Sequence, residues 1–231
     1  MIEHVFWRCA ASTHLTDLYV ATCDGEIYSE VESFGGKAVM TGSQHVRATE
    51  RIAEASTKLD SDIVVMIQGD EPMITPEMID AALQPMLENP DIGCVNLIRR
   101  IETEQEFHNP NTIKVVMDRH RRALYFSRHP IPTTDQENFD GRDLFKQVCV
   151  IPFRSKLLRN YVLLEPTELE KAESVDMLRL LEHGHPVHLV ETEVRVHSVD
   201  TPEDLKLVAS LLADDPLSQQ YGSWSRSSDQ T

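Results

Sequence analysis

Three short stretches of the sequence contain residue types that could hold a metal ion and an anionic substrate. The first is Gln-Gly-Asp-Glu-Pro at residues 68–72, which directly follows the apolar run at 62–67. Such a run is typical of a strand buried on both faces, and ligands of open α/β sheets bind outside the carboxyl ends of their strands. Asp70 is therefore a candidate Mg²⁺ ligand, although an ordinary strand-to-helix turn capped by Asp70 explains the pentapeptide equally well.

A second acidic residue follows another predicted strand. Asp200 lies in Val-Asp-Thr-Pro-Glu-Asp-Leu at residues 199–205. Taken alone, this stretch favours a structural interpretation, because a threonine cap, a proline and acidic first-turn residues make a good helix start. Two acidic strand ends in one fold indicate more, since together they could clamp one metal ion on a polyphosphate.

The third stretch supplies a cation. A predicted strand in Ala-Leu-Tyr-Phe-Ser-Arg-His-Pro-Ile-Pro, residues 123–132, delivers Arg128 just before a proline-rich turn. Arginine suits bidentate recognition of a carboxylate or phosphate, although an arginine on a loop is more often a plain surface residue. Lys114 is a weaker candidate of the same kind.

Composition limits the classes of partner. The 231 residues include 22 Lys and Arg against 38 Asp and Glu, a formal net charge of −16. This charge would repel a phosphate backbone, so we expect no nucleic-acid partner. The apolar runs are too short to span a bilayer, so we expect no membrane partner. Four widely spaced cysteines without a metal-binding pattern fit reduced thiols in the cytoplasm.

The elements that must position these residues alternate along the chain. Amphipathic stretches separated by short apolar runs predict an α/β fold, with a largely parallel sheet covered by helices on both faces. Closely spaced strands between residues 94 and 126 predict antiparallel pairs that project from this sheet, and 133–142 predict an exposed loop. We expect one domain over residues 1–213 and a polar, disordered tail over 214–231.

The three stretches, in this order, resemble the 3-deoxy-manno-octulosonate (Kdo) cytidylyltransferase family of CMP-sugar synthetases. Residues 49–54 and 173–184 are also similar to it, and the resemblance extends from residue 1 to about 212. It implies a Rossmann-like nucleotide-diphospho-sugar transferase fold, mostly parallel, with a small antiparallel dimerisation extension. It also implies transfer of CMP from CTP to the anomeric hydroxyl of a 2-keto sugar acid, with release of pyrophosphate, for lipopolysaccharide or other surface polysaccharide synthesis.

The resemblance also assigns expected roles to individual residues. Asp70 and Asp200 correspond to ligands of Mg²⁺, and Gln68 and Arg128 to contacts with the sugar acid. The loop and helix that flank the nucleotide correspond to a segment that includes His45, Thr49, Glu50 and Arg51. The implied partners are CTP, a 2-keto sugar acid and a second copy of the chain. Positioning and electrostatics would suffice for this reaction, without a side-chain nucleophile.

The sequence departs from the family at its start. The first strand and the basic loop A-R-x-x-S-x-R-x-P-x-K, which cradles the CTP phosphates in the family, are absent before residue 2. The strand is expected near the centre of the sheet. Either the chain begins at an internal methionine or nucleotide transfer has been lost. We favour the first explanation, because a long strand edge would otherwise be unpaired.

The expected sugar pocket departs too. Gln147, Ile151, Asp176 and Met177 stand where the family has His, Tyr, Glu and Gln, and Arg47-Ala48 replaces a Ser-Gly pair near the base. An apolar side chain does not replace a lost hydrogen bond, so we expect Kdo or a related ulosonic or nonulosonic acid as acceptor. The alternatives are a nucleotidyltransferase for another nucleotide or sugar, and a non-catalytic homologue that binds a sugar acid or nucleotide.

Overall fold

A computed structural model describes residues 1–133 and 144–227, with side chains as far as residue 221. The exposed loop expected at 133–142 therefore lies, apart from residue 133, outside the described residues. The helices of the described part are α1 (Ile2–Ala10), α2 (Gly25–Ser33), α3 (Ala48–Ser56), α4 (Pro76–Glu88), α5 (Glu104–His108), α6 (Ser155–Tyr161), α7 (Glu168–Glu173), α8 (Met177–Glu182), α9 (Pro202–Ala213) and α10 (Pro216–Ser227). The strands are β1 (Val20–Thr22), β2 (Ala38–Met40), β3 (Ile63–Ile67), β4 (Val95–Arg100), β5 (Lys114–Met117), β6 (Ala123–Ser127), β7 (Phe145–Val148), β8 (Val150–Arg154) and β9 (His188–Glu191).

Local sequence explains where several helices begin. Asp24 caps α2 by accepting hydrogen bonds from the backbone N–H groups of residues 26 and 27. The predicted start of α9 is confirmed: Thr201 accepts a bond from the N–H of Asp204, whose carboxylate accepts one from the N–H of Thr201. This reciprocal pair satisfies two backbone donors that a helix start would otherwise leave open.

The strands form one five-stranded sheet and two smaller ladders. The order in the large sheet is β6-β5-β7-β4-β9. β3 pairs antiparallel with β8, and β8 reaches the large sheet through a bridge between Phe153 and Cys94. β1 pairs with β2 in parallel.

Parallel pairing is less frequent than the sequence predicts. Among the described strands, only β1–β2 and β4–β9 pair in parallel, and the remaining ladders are antiparallel. One reason is that β3 and β1, two strands expected in the parallel part, are each paired on one edge only. The α/β layering itself agrees with the prediction.

An apolar cavity of about 770 Å³ lies between the unpaired edges of β3 and β1. We call this cavity the strand slot. Its walls come from both strands and from α1, α3 and α4, including Ile2, Val5, Phe6, Ile52, Ala55, Ile63, Val64, Val65, Ile67, Leu83 and Leu87. The slot lies beside β3, which pairs with β8 on its other edge.

Two large hydrophobic clusters make up most of the described core, beside two small ones. The larger packs β-strand side chains against α3, α6 and α8, with Phe153, Tyr161 and Met177 all fully buried. The second packs α1 and α4 against the opposite face, with Met78 and Ile79 at its centre. Helices therefore hold the sheet from both sides, so that strand ends are fixed relative to each other.

The structure differs from the sequence prediction in the tail. Residues Pro216–Ser227 form α10 rather than a disordered segment. Arg8, only 2% exposed, forms an ion pair of 2.6 Å with Asp215, and Tyr221 is buried beside His4 at 2.5 Å. These contacts dock α10 on α1, which explains why a polar segment is ordered. Residues 228–231 lie outside the described part.

Within the residues that the structure describes, no helix has the length and apolar character needed to cross a membrane.

Candidate active site

The two predicted metal ligands lie in segments that the fold brings together, although the strand predicted before Asp200 does not form, because residues 192–200 contain no helix or strand. Asp70 lies in the turn after β3, and Asp200 lies just before α9. The N–H of Val199 donates to the carbonyl of Asp70 at 2.9 Å, which joins the two segments directly. The arrangement expected for Asp70 and Asp200 is therefore present at the level of the backbone.

The two carboxylates also influence each other electrostatically. Burial raises the pKa of the Asp70 carboxyl, and the negative charge of Asp200 raises it further. Partial burial and the charge of Asp204 raise the pKa of Asp200, whereas the positive charge of Arg128 acts in the opposite direction. A cation between the two aspartates would relieve the repulsion that these shifts report.

One oxygen of Asp70 fits a ligand position. Its Oδ1 is buried and has no hydrogen-bond partner in the described part of the molecule. A buried carboxylate oxygen without a partner is costly, and coordination of a cation would satisfy it. No group of three or more His, Cys, Asp or Glu side chains suited to a metal occurs among the described residues. Two carboxylates plus phosphate oxygens and water are the kind of set that Mg²⁺ accepts.

Glu71 is a site residue that the sequence analysis did not single out. It is 3% exposed, its Oε1 accepts a hydrogen bond of 3.1 Å from the hydroxyl of Ser198, and its Oε2 has no partner among the described groups. Burial raises the pKa of Glu71 to about 7, and the charge of Asp70 adds to the shift. The acidic Asp-Glu pair was visible in the sequence, but nothing there indicated that the second side chain turns inward.

Arg128 is fixed by backbone carbonyls. Its Nε donates to Glu173 O at 2.7 Å, and its two Nη atoms donate to Pro110 O at 3.0 Å and Ser174 O at 3.4 Å. A guanidinium has five N–H donors, so these bonds leave one donor on each Nη. No carboxylate forms an ion pair with the Arg128 side chain in the described residues. Two N–H donors of the guanidinium therefore remain open to a further acceptor.

Lys114 holds the backbone next to Arg128 in place. It is fully buried, and its ammonium donates to the carbonyls of Asn109 at 2.9 Å, Thr112 at 2.7 Å and Arg128. Burial lowers the pKa of Lys114 to about 8, and the neighbouring charge of Arg128 adds to this effect. Because the ammonium holds the backbone of Arg128, Lys114 acts as a support and is not itself placed to bind a ligand.

Thr49 is buried and does not face open space. Its N–H and hydroxyl both donate to Oδ2 of Asp176, at 3.0 and 2.8 Å. Burial raises the pKa of Asp176, and the two bonds from Thr49 act against that shift. Thr49 therefore joins α3 to the start of α8, a structural contact next to the expected nucleotide-flanking segment.

His45 and Arg51 form a separate group around the loop before α3. The His45 ring contacts the Glu54 carboxylate, which also accepts from the N–H of Gly42 at 3.1 Å. Arg51 donates to the hydroxyl of Thr41 at 2.7 Å and the carbonyl of Gly42 at 3.2 Å. These contacts fix the loop at residues 41–45, and within the described residues no hydrogen bond or ion pair joins this loop to Asp70 or Asp200.

Gln68 stands immediately before the acidic turn. Its N–H donates to the carbonyl of Cys149 at 3.4 Å, and its own carbonyl accepts from the N–H of Glu71 at 3.3 Å. The side chain is half-buried. Gln68 thus links β3 to the junction of β7 and β8 at the edge where the aspartates lie.

Two of the four positions that depart from the family pattern lie in the core. Ile151 and Met177 are 2% and 0% exposed, within the larger cluster. Gln147 donates from Nε2 to Oδ1 of buried Asn96 at 2.5 Å. Burial raises the pKa of the Cys149 thiol, and the charges of Glu71, Asp70, Asp176 and Asp200 add to this shift, so Asp176 acts electrostatically on the same thiol as the acidic turn. The expectation that the acceptor is a sugar acid other than Kdo therefore depends mainly on Gln147 and Asp176.

The model of a cytidylyltransferase family matches residues 1–198. The chain belongs to this cytidylyltransferase family. Relatives named 3-deoxy-manno-octulosonate cytidylyltransferase include one from Geotalea uraniireducens, 41% identical over 221 residues, which covers 92% of this chain and 88% of the relative. Another, from Thermodesulfovibrio yellowstonii, is 42% identical with the same two coverages. The nucleotidyltransferase class predicted from the sequence is thereby confirmed.

Solved structures agree with the fold of this cytidylyltransferase. A CMP:2-keto-3-deoxy-manno-octonic acid synthetase complexed with CTP superposes with a TM-score of 0.84 at 36% identity, covering 92% of this chain and 87% of that one. A putative glucose-1-phosphate thymidylyltransferase from Bacillus anthracis, 14% identical, has a TM-score of 0.62 and supports the fold alone. The predicted α/β nucleotidyltransferase fold is confirmed.

Proposed function

We propose that this cytidylyltransferase transfers CMP from CTP to the anomeric hydroxyl of a 2-keto-3-deoxy sugar acid, Kdo or a related ulosonic or nonulosonic acid. The observation that carries the proposal is the backbone bond that joins Asp70 to the segment of Asp200, with Arg128 close enough to act electrostatically on Asp200. The relatives and the CTP complex provide the substrate classes by their names. Lipopolysaccharide or other surface polysaccharide synthesis is the process that would use the product.

Asp70 and Asp200 would hold Mg²⁺ in this proposal. The partnerless Oδ1 of Asp70 and the charge repulsion between the two carboxylates support that assignment. When bound, the metal ion offsets charge that develops on the phosphate oxygens. The carboxylates themselves orient the triphosphate by fixing where its counter-ion can lie, in a molecule whose net charge of −16 would otherwise repel it.

Arg128 would orient the acceptor. The donor left on each Nη atom can bind the sugar carboxylate, while three carbonyl contacts hold the guanidinium still. The anomeric hydroxyl oxygen then forms a bond to the α-phosphorus as the bond to the bridging oxygen breaks, and pyrophosphate leaves. Positioning is the main contribution of the protein, because a fixed reaction geometry saves much of the entropic cost of bringing two substrates together.

The proposal includes three statements about the whole chain. We take residues 1–213 as one nucleotidyltransferase domain, on which α10 docks. We place the enzyme in the cytoplasm, where CTP is synthesised. We expect a homodimer, and the exposed Leu124 side chain on β6 supports a contact there. Sedimentation at several protein concentrations measures the oligomeric state.

Pyrophosphate release from CTP tests the function. The assay combines the protein with CTP, Mg²⁺ and one acid at a time from a panel of Kdo, 8-carbon variants and nonulosonic acids, with EDTA as the matched control. We expect release that requires both the acid and the metal ion. Absence of release with every acid, together with retained CTP binding by calorimetry, would contradict catalysis and favour the non-catalytic alternative. A strong preference for Kdo would reject an altered acceptor.

A further inference from the structure

Glu71 is a buried carboxylate that the proposed reaction does not use. It is 3% exposed and forms no ion pair with any residue that the structure describes. Its Oε1 accepts a bond from Ser198, and its Oε2 is a buried atom without a partner in the described part. A buried carboxylate without a full set of partners lowers the stability of the folded protein, and an apolar side chain would avoid this cost. The presence of Glu71 at this position therefore indicates a role other than stability.

The location of the Glu71 carboxylate indicates what its role is. Glu71 follows Asp70 in the chain, and Ser198 precedes Asp200 by two residues. The Glu71–Ser198 hydrogen bond of 3.1 Å connects the same two segments as the Val199–Asp70 backbone hydrogen bond of 2.9 Å. The segments of the two aspartates are therefore joined twice, once through the main chain and once through side chains.

The second connection matters because one hydrogen bond leaves a segment free to rotate about it. The segment from residue 192 to 200 contains no helix or strand, and at its far end the N–H of Asp200 donates to the Asp204 carboxylate of α9 at 3.2 Å. A buried carboxylate that holds the Ser198 hydroxyl removes that freedom. Two ligands for one ion must keep a fixed separation, since Mg²⁺ tolerates little departure from octahedral geometry.

We propose that Glu71 is a positioning residue, which sets the separation of Asp70 and Asp200 by accepting the hydrogen bond from Ser198. This inference rests on the proposed function, in which the two aspartates hold a divalent cation. Glu71 acts through its acceptor oxygen, and a glutamine, which retains that oxygen, substitutes for it. The hydroxyl of Ser198 is its necessary partner.

Four variants separate the hydrogen bond from the charge. Glu71→Gln keeps the acceptor and removes the charge, Ser198→Ala removes the donor and keeps the charge, and Glu71→Leu removes both acceptor and charge. The fourth variant combines Glu71→Leu with Ser198→Ala. Ser29→Ala, which deletes an exposed hydroxyl on α2, is the matched control.

The measurement is the dissociation constant for Mn²⁺ alone, by electron paramagnetic resonance of the free ion, with thermal unfolding beside it. We expect Ser198→Ala and Glu71→Leu each to weaken Mn²⁺ binding about tenfold, the size expected for a hydrogen bond to a charged group. The double variant binds as weakly as either single one, and Glu71→Gln and Ser29→Ala bind within about threefold of the unmodified protein. If Glu71→Leu does not fold, the comparison of Mn²⁺ affinity between Ser198→Ala and Glu71→Gln still tests the proposal.

Each contrary result has a defined meaning. Lower thermal stability in Ser198→Ala with unchanged Mn²⁺ affinity would make the bond merely structural and overturn the proposal. Loss of affinity in Glu71→Gln but not in Ser198→Ala would assign the effect to charge and overturn it as well, as would multiplicative losses in the double variant. If the unmodified protein does not bind Mn²⁺, the metal site of the proposed function fails, which is a separate outcome.

Discussion

Asp70 combines a buried, partnerless oxygen with a like charge from Asp200, and each of these features disfavours the ionised carboxylate. A carboxylate held in this way is costly to the free protein but well suited to receive a cation. The same residue therefore has opposite effects on the stability of the free protein and on ligand binding. Substitutions at Asp70 should separate these effects.

Replacing Asp70 by asparagine should abolish metal-dependent turnover while the protein remains folded. The change removes charge but little volume, so we expect pyrophosphate release to fall roughly 10²-fold or more. The unfolding midpoint should stay equal or rise, because repulsion with Asp200 is lost. Asp91→Asn, an exposed site in a turn, is the matched control. Full activity in Asp70→Asn would remove Asp70 from the mechanism.

Sequence reasoning found the two aspartates but missed features that depend on tertiary structure. Asp70 follows a predicted strand that is present as β3, whereas the strand predicted before Asp200 is absent, and the Val199–Asp70 backbone bond brings its segment to Asp70. Glu71 was in the same pentapeptide, but the inward turn of its side chain depends on Ser198, which is 127 residues away. Ile151 was assigned to the sugar pocket by its position in a motif, whereas its side chain lies in the core, and only tertiary packing decides between the two.

At the scale of helices and strands, a buried ion network connects α3 to α7 and α8. Arg179, 3% exposed, donates to both oxygens of the buried Glu170 carboxylate at 2.7 Å and to Glu50 at 2.9 Å. Its guanidinium also stacks on the ring of Tyr161 at 4.4 Å from the centroid. This network holds the beginning of α3, where the expected nucleotide-flanking residues lie, against the helices that contact Arg128.

Replacing Arg179 by methionine should destabilise the protein strongly. The change leaves the buried Glu170 carboxylate with only the longer Arg47 ion pair, at 3.6 Å, and removal of one partner of a buried pair costs about 3–5 kcal/mol. Chemical denaturation measures this free energy of unfolding. Arg159→Met, an exposed arginine on α6, should change it by less than about 0.5 kcal/mol. A small loss in Arg179→Met would show that the network contributes little net stability.

The docking of α10 on α1 should depend on pH. Burial lowers the pKa of His4, whose Nδ1 contacts the Tyr221 hydroxyl at 2.5 Å. The folded protein then binds this proton more weakly than the unfolded chain, so stability is lost as the pH falls below about 6.5. We expect a larger fall in unfolding midpoint between pH 7.5 and 5 for the unmodified protein than for His4→Gln. Equal falls would rule out His4 as a cause.

Helix starts were predictable where a capping pattern occurs, and α9 shows this. α7 carries a similar signal, Thr167 followed three residues later by Glu170, whose carboxylate accepts from the Thr167 N–H at 3.3 Å. That helix could have been found from the sequence. The division of the predicted strand at 146–153 into β7 and β8 could not, because Cys149 between them has no turn-forming side chain. The order in α10 comes from Arg8 and His4, which lie more than 200 residues earlier.

At the scale of the molecule, the strand slot is a large gap in the described part of the layered α/β body. β3 has five residues and one unpaired edge, and β1 faces it across the cavity. Unpaired strand edges lined by apolar side chains accept an additional strand readily. The beginning of α1 contributes Ile2 to the slot, which places the amino end of the described chain beside it.

A designed extension tests whether the slot accepts a strand. Five or six β-branched residues joined to Met1 through a short flexible linker should pair with β3 and raise the unfolding midpoint by several degrees. An extension of equal length with two prolines cannot complete the ladder and should have no effect. Equal midpoints for both extensions would show that the slot does not take a strand.

The apolar walls of the slot have a practical consequence for solution work. Dyes such as anilinonaphthalene sulfonate fluoresce when they enter apolar space, and their signal is commonly taken as a sign of a molten globule. A cavity of about 770 Å³ whose walls include many valine, isoleucine and leucine side chains beside some charged ones offers them such space in the fully folded state. Bright dye emission from this protein would therefore need near-ultraviolet circular dichroism beside it before loss of tertiary packing is inferred.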